Sequence, residues 1–451
     1  MATKNTYTPK LITHFLILSL LAAFACWLKS LEIETGWQKA GLTTFSLGFV
    51  LLAAYVISKM LVIAKLPLIS GYIFAGIIAG PYITGFLTED MVHRLRLVDD
   101  LALSFIALTA GGTLHMQFLR KRGKAIVLNT TFLILVVFGL VFIAVILLAN
   151  FSSLTPDLTK AQLMVFACLL GVISVARSPS SAIAIISECR ASGVFTATVM
   201  GVTVVMDVLL IILFTLALAV SNIILTAGSA IDYQTFMVLS LAVAGSLLLG
   251  VFSGKCISFY IKKIGHDLPL FLLFVSFGVF KTSLWLNHFM EAHFATSLHL
   301  EPLLICMSAG FTVQNFSKTG PMFMESLDYV SLPIYVLFFS LAGASLNLDA
   351  LRMTWPLAVS LVLVRITGIF VATWFAGILN RDPAEHNRTA WMAYITQAGV
   401  AIGLAQLAQR HFPEIGMYLT TVVLAVITVN QVVGPITFKM ALNMVGETGK
   451  E

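Results

Sequence analysis

Long runs of hydrophobic residues, separated by short polar stretches, recur along the whole chain. Most runs reach the roughly 18 to 20 residues that a helix needs to cross a lipid bilayer. The runs are continuously apolar and do not alternate, which favours helices over the strands of a β-barrel. We predict about fourteen membrane-spanning helices, near residues 11–28, 41–63, 68–88, 98–117, 125–150, 160–189, 195–222, 234–260, 269–286, 300–315, 327–346, 353–379, 389–410 and 416–443.

Composition and charge agree with this pattern. Of 451 residues, 59% are hydrophobic and 11% are charged, whereas soluble domains carry about 25% charged residues. Lipid is therefore the expected surrounding. The net charge of +6 does not indicate nucleic-acid binding, because the basic residues lie mainly in loops without interleaved aromatic residues. Most of them fall on the side that holds both termini, which predicts that both termini are cytoplasmic.

The sequence contains no pattern typical of an enzyme. It has no Ser/His/Asp arrangement, no phosphate-binding glycine loop and no catalytic metal spacing. We therefore predict no catalytic residue and no resident cofactor. The cysteines show no CxxC pair, so neither a structural zinc site nor a disulfide framework is expected. The five cysteines are Cys26, Cys168, Cys189, Cys256 and Cys306.

We divide the chain into three parts. Residues 1–40 form an extra N-terminal transmembrane helix and a loop. That first run is long for a signal peptide and lacks a small-residue cleavage site, so we expect it to be retained. Residues 41–443 form the main transmembrane domain. Residues 444–451 form a short cytoplasmic tail, after which no soluble regulatory domain is expected.

One carboxylate lies in the middle of a predicted span. Asp207 has about a dozen apolar residues on each side, and a charge at such a depth costs roughly 2.5–3.5 kcal/mol. Burial generally raises the pKa of a carboxyl group and a neighbouring cation lowers it, so a proton and a metal ion can compete for one site near neutral pH. We predict that Asp207 binds a monovalent cation. The alternative is a structural ion pair.

Two arginines also lie inside predicted spans. Arg365 is expected to pair with an acid or to cap backbone carbonyls at a helix break, and a direct part in transport is equally open. Arg177 belongs to the polar stretch 174–182 of the sixth span. There Pro179 removes one backbone donor, and the carbonyls that it frees need partners, of which a bound ion is one. The alternative is a proline kink satisfied by serines.

The thirteenth span contains a comparable polar stretch at residues 394–399, although without a proline. If the first and eighth spans are set aside, the interrupted helix is fifth in each of two sets of six. One linking helix makes the second set enter from the opposite side, which predicts an all-α fold of inverted six-helix repeats with two broken, crossing helices. Such pairs of interrupted helices indicate a binding site near the membrane midplane.

The predicted site combines these features. The predicted ion-binding residues are Asp207, Thr203, Ser180, Ser181, Thr396 and Gln397. Arg365 and Arg177 are predicted to balance charge. Pro179 and Gly399 are predicted to break the helices. Glu301, at the start of the short tenth span, is interpreted as a solvated helix start that lines an entry funnel.

Several stretches, in this order, resemble the second branch of the monovalent cation:proton antiporter superfamily, which includes Kef-type and bacterial sodium/proton exchangers. They are Leu66–Pro81, Ser178–Ile183, Val205–Val208, Pro333–Gly343 with Ser345–Asn347, Arg365 and Gln397–Gly403. The resemblance covers about residues 41–443. It implies a homodimer in a bacterial inner membrane, a core domain that moves against a dimerisation domain in an elevator-like cycle, and Asp207 as the ion-binding aspartate near the crossing helices.

The chain departs from this family in two respects. Many electrogenic members have two adjacent acids where this chain has Met206 and Asp207, so a one-for-one electroneutral exchange is expected. Kef members carry a soluble nucleotide-binding domain that this sequence lacks. The first hypothesis is Na⁺/H⁺ antiport, and K⁺/H⁺ antiport is the second. Both stay open because ion selectivity depends on the geometry of the site, which the sequence does not give. A cation channel and an organic-anion carrier, with Arg177 and Arg365 as substrate contacts, remain alternatives.

Overall fold

A computed structural model describes residues 36–63, 66–149, 158–226, 233–294, 300–397 and 399–449, together with Ala23. Throughout these ranges the regular structure is helical, and no strand occurs in them. Each predicted span from residue 41 onwards contains helix. The predicted first span, at 11–28, and most of the predicted N-terminal part, at 1–40, lie outside the described residues.

The helices follow the predicted order with few long connections. The first half contains α1 (Gly36–Ile63), α2 (Leu68–Ala79), α3 (Glu89–Arg94), α4 (Arg96–Thr113), α5 (Met116–Phe132), a π-helical turn (Leu133–Val137), α6 (Phe138–Ala149), α7 (Lys160–Val175), α8 (Pro179–Glu188) and α9 (Val194–Thr226). The second half contains α10 (Tyr233–Lys263), α11 (Leu268–Phe294), α12 (Pro302–Phe316), α13 (Gly320–Ala344), α14 (Leu348–Asn380), α15 (Ala384–Thr389), a 3₁₀ turn (Ala390–Tyr394), α16 (Gly399–His411) and α17 (Pro413–Met444).

Within the described ranges, nine helical segments are long and apolar enough to cross a membrane. Others, such as α2 and α16, are apolar but shorter. The protein is therefore an integral membrane protein with all-helical architecture, while the total of fourteen spans and the inverted repeat stay predictions.

The chain divides into two compact units. The first unit comprises residues 1–102 and 331–346, and it contains α1, α2 and α3. Its core includes Phe49, Val50 and Leu341. Gly76 of α2 allows close packing, because a Cβ there would overlap the carbonyl oxygen of Ser340. Small residues at such crossings let helix backbones approach each other within a membrane.

The second unit comprises residues 103–330 and 347–451, and it contains every residue predicted for the ion site. In this unit α14 packs against α17, α5 and the π-helical turn, while α9 packs against α7, α8 and α5. The predicted site residues therefore lie on helices that share one packed core.

Residues after α17 contact another helix of the second unit. The Glu447 carboxylate accepts hydrogen bonds from the backbone N–H groups of Phe195 and Thr196, each at 2.7 Å, and from the Thr196 hydroxyl at 2.8 Å. The Glu447 side chain thus caps the N-terminus of α9, where the helix dipole favours a negative charge. Part of the predicted tail, residues 444–451, is consequently bound to the helix that carries Asp207.

Two glycines allow α4 and α12 to pack closely within the second unit. A Cβ at Gly310 would overlap the carbonyl oxygen of Leu108, and a Cβ at Gly111 would overlap that of Met307. Because the obstacle on each side is backbone, a rotamer change does not relieve it and one helix must shift.

We expect Gly310→Ala to destabilise the protein by about 1–3 kcal/mol, since the added methyl group overpacks a backbone contact. The apparent midpoint of thermal unfolding in detergent measures the effect. Gly278→Ala on α11 is the matched control, because no atom lies within 4 Å of a Cβ at that position and alanine favours helix by about 1 kcal/mol. Equal midpoints for the two variants would contradict the close approach.

Candidate ion-binding site

The sixth predicted span is broken at its polar stretch. Helix α7 ends at Val175, and α8 begins at Pro179. Proline suits this first helical position because its missing N–H would have no intrahelical partner there. Ser178 caps α8 by accepting a hydrogen bond from the N–H of Ser181 at 3.2 Å. The structure therefore has a non-helical segment of three residues where the sequence predicts a break.

The thirteenth predicted span is also interrupted. A 3₁₀ turn ends at Tyr394, residues 395–397 have no regular structure, and α16 begins at Gly399. Thr396 is buried and packs against Gly434 of α17, where a Cβ would lie 2.5 Å from the Thr396 Cγ2 atom. The absence of proline does not prevent a break here, because α17 supports the irregular backbone from the side.

Arg365 connects the two breaks. This α14 side chain is 1% exposed. Its Nε donates to the carbonyl oxygen of Ser174 at 2.8 Å, its Nη2 to that of Ala176 at 3.0 Å, and its Nη1 to that of Ile395 at 2.8 Å. The sequence allowed two roles for Arg365, pairing with an acid or capping backbone carbonyls. These three hydrogen bonds correspond to the second role. A single guanidinium thus satisfies the carbonyl end of α7 and the second break together.

Gln397 forms a second bridge between the broken spans. Its Nε2 donates to the carbonyl oxygen of Ile173 at 3.0 Å, and its Oε1 accepts from Asn430 Nδ2 at 2.9 Å. Asn430 lies on α17 and is fully buried. Between them, the side chains of Arg365 and Gln397 donate to four carbonyl oxygens that the sequence left available to a bound ion.

Arg177 lies within the first break and is 2% exposed. Its Nη1 approaches the carbonyl oxygens of Ala176 at 3.1 Å and of Ser174 at 3.4 Å. The Nε and Nη2 atoms are buried and have no hydrogen-bond partner among the described residues.

The predicted hydroxyl ligands have other partners in this structure. The Ser178 hydroxyl lies 2.8 Å from Ser181 Oγ and 3.2 Å from Ser180 Oγ, forming a small network at the start of α8. The Thr203 hydroxyl donates to the carbonyl oxygen of Val199 at 2.8 Å. A donated proton leaves the lone pairs of a hydroxyl oxygen free to face a cation.

Asp207 lies on α9, one helical turn after Thr203. Its Oδ1 atom is enclosed and has no hydrogen-bond partner within the described part of the chain. An ionised carboxylate without a partner is unstable in such a place. This oxygen therefore requires a proton or a cation. Helix α9 packs against α7, α8 and the 3₁₀ turn. The helix that carries Asp207 therefore contacts both sides of the first break and the turn that precedes the second.

Glu301 lies at the start of α12, where the sequence predicts a helix start, and its side chain is partly exposed. Its charge also acts on that of Asp207, an interaction that the sequence did not indicate. Its backbone N–H donates to Ser246 Oγ of α10 at 2.9 Å. Residues 207 and 301 are far apart in sequence, so the only signal was an acid at the mouth of an apolar segment.

The sequence profile of the family described as "Sodium/hydrogen exchanger, transmembrane" matches residues 45–443. Among curated proteins, the Na⁺/H⁺ antiporter NhaS5 of Synechocystis is 23% identical over 387 residues, which is 82% of this chain and 51% of the relative. The chain thus spans about half the length of that curated relative.

Solved structures give the same fold. Two structures of the sodium proton antiporter MjNhaP1 from Methanocaldococcus jannaschii match 90% of this chain. The structure at pH 8 gives a TM-score of 0.64 at 16% identity over 97% of its own chain, and the electron-microscopy structure gives 0.70 at 17% over 98%. Both similarities concern the arrangement of the backbone.

Proposed function

The chain belongs to the sodium/hydrogen exchanger family, and from this premise we propose that it is a secondary antiporter that exchanges Na⁺ for H⁺ across a membrane. The observation that carries the proposal is the enclosed Oδ1 atom of Asp207, which has no hydrogen-bond partner among the described residues. Such an oxygen is suited to bind either of two positive ligands in turn.

The exchange step follows from charge balance. A protonated Asp207 releases H⁺ to one side, and the carboxylate then binds Na⁺ from that side. After the site opens to the other side, a proton displaces Na⁺. Since each form of the site is neutral, one H⁺ moves for one Na⁺ and the exchange is electroneutral. The Thr203, Ser180, Ser181, Thr396 and Gln397 oxygens are the proposed further ligands, and α9 places the first of them one turn from Asp207.

The proposed alternating access is of the elevator type. Arg365 bonds to three carbonyls in the two broken spans, and Gln397 bonds to a fourth. These bonds favour movement of the two breaks as one body, since relative motion would break charge-assisted hydrogen bonds in the membrane interior. We further propose inverted six-helix repeats, a homodimer, cytoplasmic termini and a bacterial inner membrane.

The test of the function is cation-driven proton movement in proteoliposomes that hold a pH-sensitive dye. Adding Na⁺ is expected to discharge an imposed pH gradient, and adding K⁺ at equal ionic strength is expected to give a much smaller signal. A larger signal with K⁺ would favour K⁺/H⁺ exchange. Cation flux without proton movement would indicate a channel, and a response to organic anions alone would indicate a carrier of those anions.

Glu301 supports a second candidate stoichiometry. A second acid whose charge interacts with Asp207 resembles the two-carboxylate arrangement expected of electrogenic exchangers. Exchange that speeds up when a membrane potential is imposed would favour two H⁺ per Na⁺, whereas an unchanged rate would favour the electroneutral reaction.

For the electroneutral reaction, we expect Glu301→Gln to raise the KM for Na⁺ about tenfold, or about 1.4 kcal/mol. The maximal rate should change little. The physical reason is that a negative charge near Asp207 attracts the cation in a medium of low dielectric. Glu325→Gln is the control, because Glu325 is an exposed acid on α13. An unchanged KM in the Glu301 variant would show that this charge does not act on the bound ion.

A further inference from the structure

Two buried guanidinium groups share the same pair of acceptors at the end of α7. Arg365 and Arg177 both donate to the carbonyl oxygens of Ser174 and Ala176, at 2.8 and 3.0 Å for Arg365 and at 3.4 and 3.1 Å for Arg177. Groups with two common acceptors must lie side by side. The two arginines therefore place two positive charges next to each other in the interior of the second unit.

The acceptors do not neutralise these charges. All hydrogen bonds that the two side chains form within the described ranges end on backbone carbonyls, and no ion pair described for these ranges involves either residue. The carbonyl end of a helix supplies the equivalent of about half a negative charge. More than one positive charge is thus left over, in a place where an uncompensated charge is costly.

The free atoms of Arg177 indicate what compensates this charge. Its Nε and Nη2 are buried, and neither has a partner among the described residues. These two atoms form one edge of the guanidinium plane, on which two parallel N–H groups point the same way. That edge is the one with which arginine binds anions through two hydrogen bonds. Helix α8, whose N-terminus also attracts negative charge, begins two residues later.

We propose that the first helix break contains a binding site for a small inorganic anion of charge −1, such as chloride, held by the Nε and Nη2 atoms of Arg177. Protein atoms cover both nitrogens, so neighbouring side chains must move to admit an ion, and a monatomic ion requires the smallest displacement. The ion lowers the repulsion between the two arginines and so stabilises the joined breaks. It is a bound component and not the exchanged substrate, so the site goes beyond the proposed cation exchange.

The test measures thermal unfolding of the purified full chain in detergent, with Na⁺ concentration and ionic strength held constant while gluconate is replaced by chloride. A saturable rise of the midpoint by about 3 °C or more is expected, because a ligand that binds only the folded state stabilises it. The same midpoint in chloride and gluconate would overturn the proposal. A rise with acetate but not with chloride would overturn it in favour of an organic carboxylate.

Variants locate the site. Arg177→Gln is expected to remove the chloride dependence, and Arg352→Gln, an exposed position on α14, is expected to keep it. If Arg177→Gln does not fold, Arg177→Lys retains the charge without the two-donor edge and should bind chloride about tenfold more weakly. Full chloride dependence in either Arg177 variant would exclude this residue as the ligand. The readout is independent of transport, so it can fail while the exchange proposal stands.

Discussion

Replacing Asp207 with asparagine is expected to reduce cation-driven proton exchange at least about 100-fold. The amide has nearly the shape of the carboxyl group, but it neither releases a proton nor offers a charge to Na⁺. Asp207 is the single acid in the sequence of α9, so this helix offers a cation no other anionic ligand. The measurement is the rate of Na⁺-induced discharge of a pH gradient in proteoliposomes.

The loss should come without loss of folding. The Oδ1 atom of Asp207 is buried and has no hydrogen-bond partner among the described residues. Removing the negative charge there removes an unfavourable term, so the unfolding midpoint of Asp207→Asn is expected to equal or exceed that of the unmodified protein. Asp328→Asn, at an exposed carboxylate on α13, is the control and should exchange normally. If Asp207→Asn exchanges ions at the normal rate, Asp207 is not the residue that binds the transported ions.

Replacing Arg365 with alanine is expected to give the largest loss of stability, roughly 3–5 kcal/mol, together with loss of exchange. Three carbonyls in two separate breaks would lose a charged donor, and such hydrogen bonds contribute about 1.5–3 kcal/mol each before relaxation. In detergent, the unfolding midpoint should fall by roughly 3–5 °C, because the entropy of unfolding grows with chain length.

Two further variants make this result specific. Arg365→Lys keeps the charge but reaches fewer of the three carbonyls, so an intermediate midpoint is expected. Arg352→Gln, on the same helix but exposed, should lie within about 0.5 kcal/mol of the unmodified protein. A normal midpoint for Arg365→Ala would show that water satisfies the breaks equally well.

The sequence was sufficient for features that depend on neighbouring residues. Hydropathy located helical segments from residue 41 onwards, because a span must be apolar over its own length. Pro179 located the first break, because proline removes its own N–H. The polar stretch 394–399 located the second, which the structure places at residues 395–397. Asp207 and Arg365 stood out because a charge in a span is costly by itself.

The partners of these groups could not be read from the sequence. Arg365 bonds to carbonyls 191 and 30 residues away along the chain, and Glu447 caps a helix that begins some 250 residues earlier. Nothing in the local pattern distinguishes a carbonyl that binds an ion from one that arginine already occupies. The effect of the Glu301 charge on Asp207 could not be predicted for the same reason, since it depends on which helices pack together.

The sequence by itself determined a helical membrane protein, the positions of two interrupted spans and the few charges within them, because each of these follows from the energy of a short segment in lipid. Only the tertiary structure decided that Arg365 and Gln397 hold the breaks together and that two donors of Arg177 have no partner among the described residues. Those outcomes depend on side chains from distant helices meeting at one point, and hydrogen bonding in a membrane interior is satisfied over the whole fold.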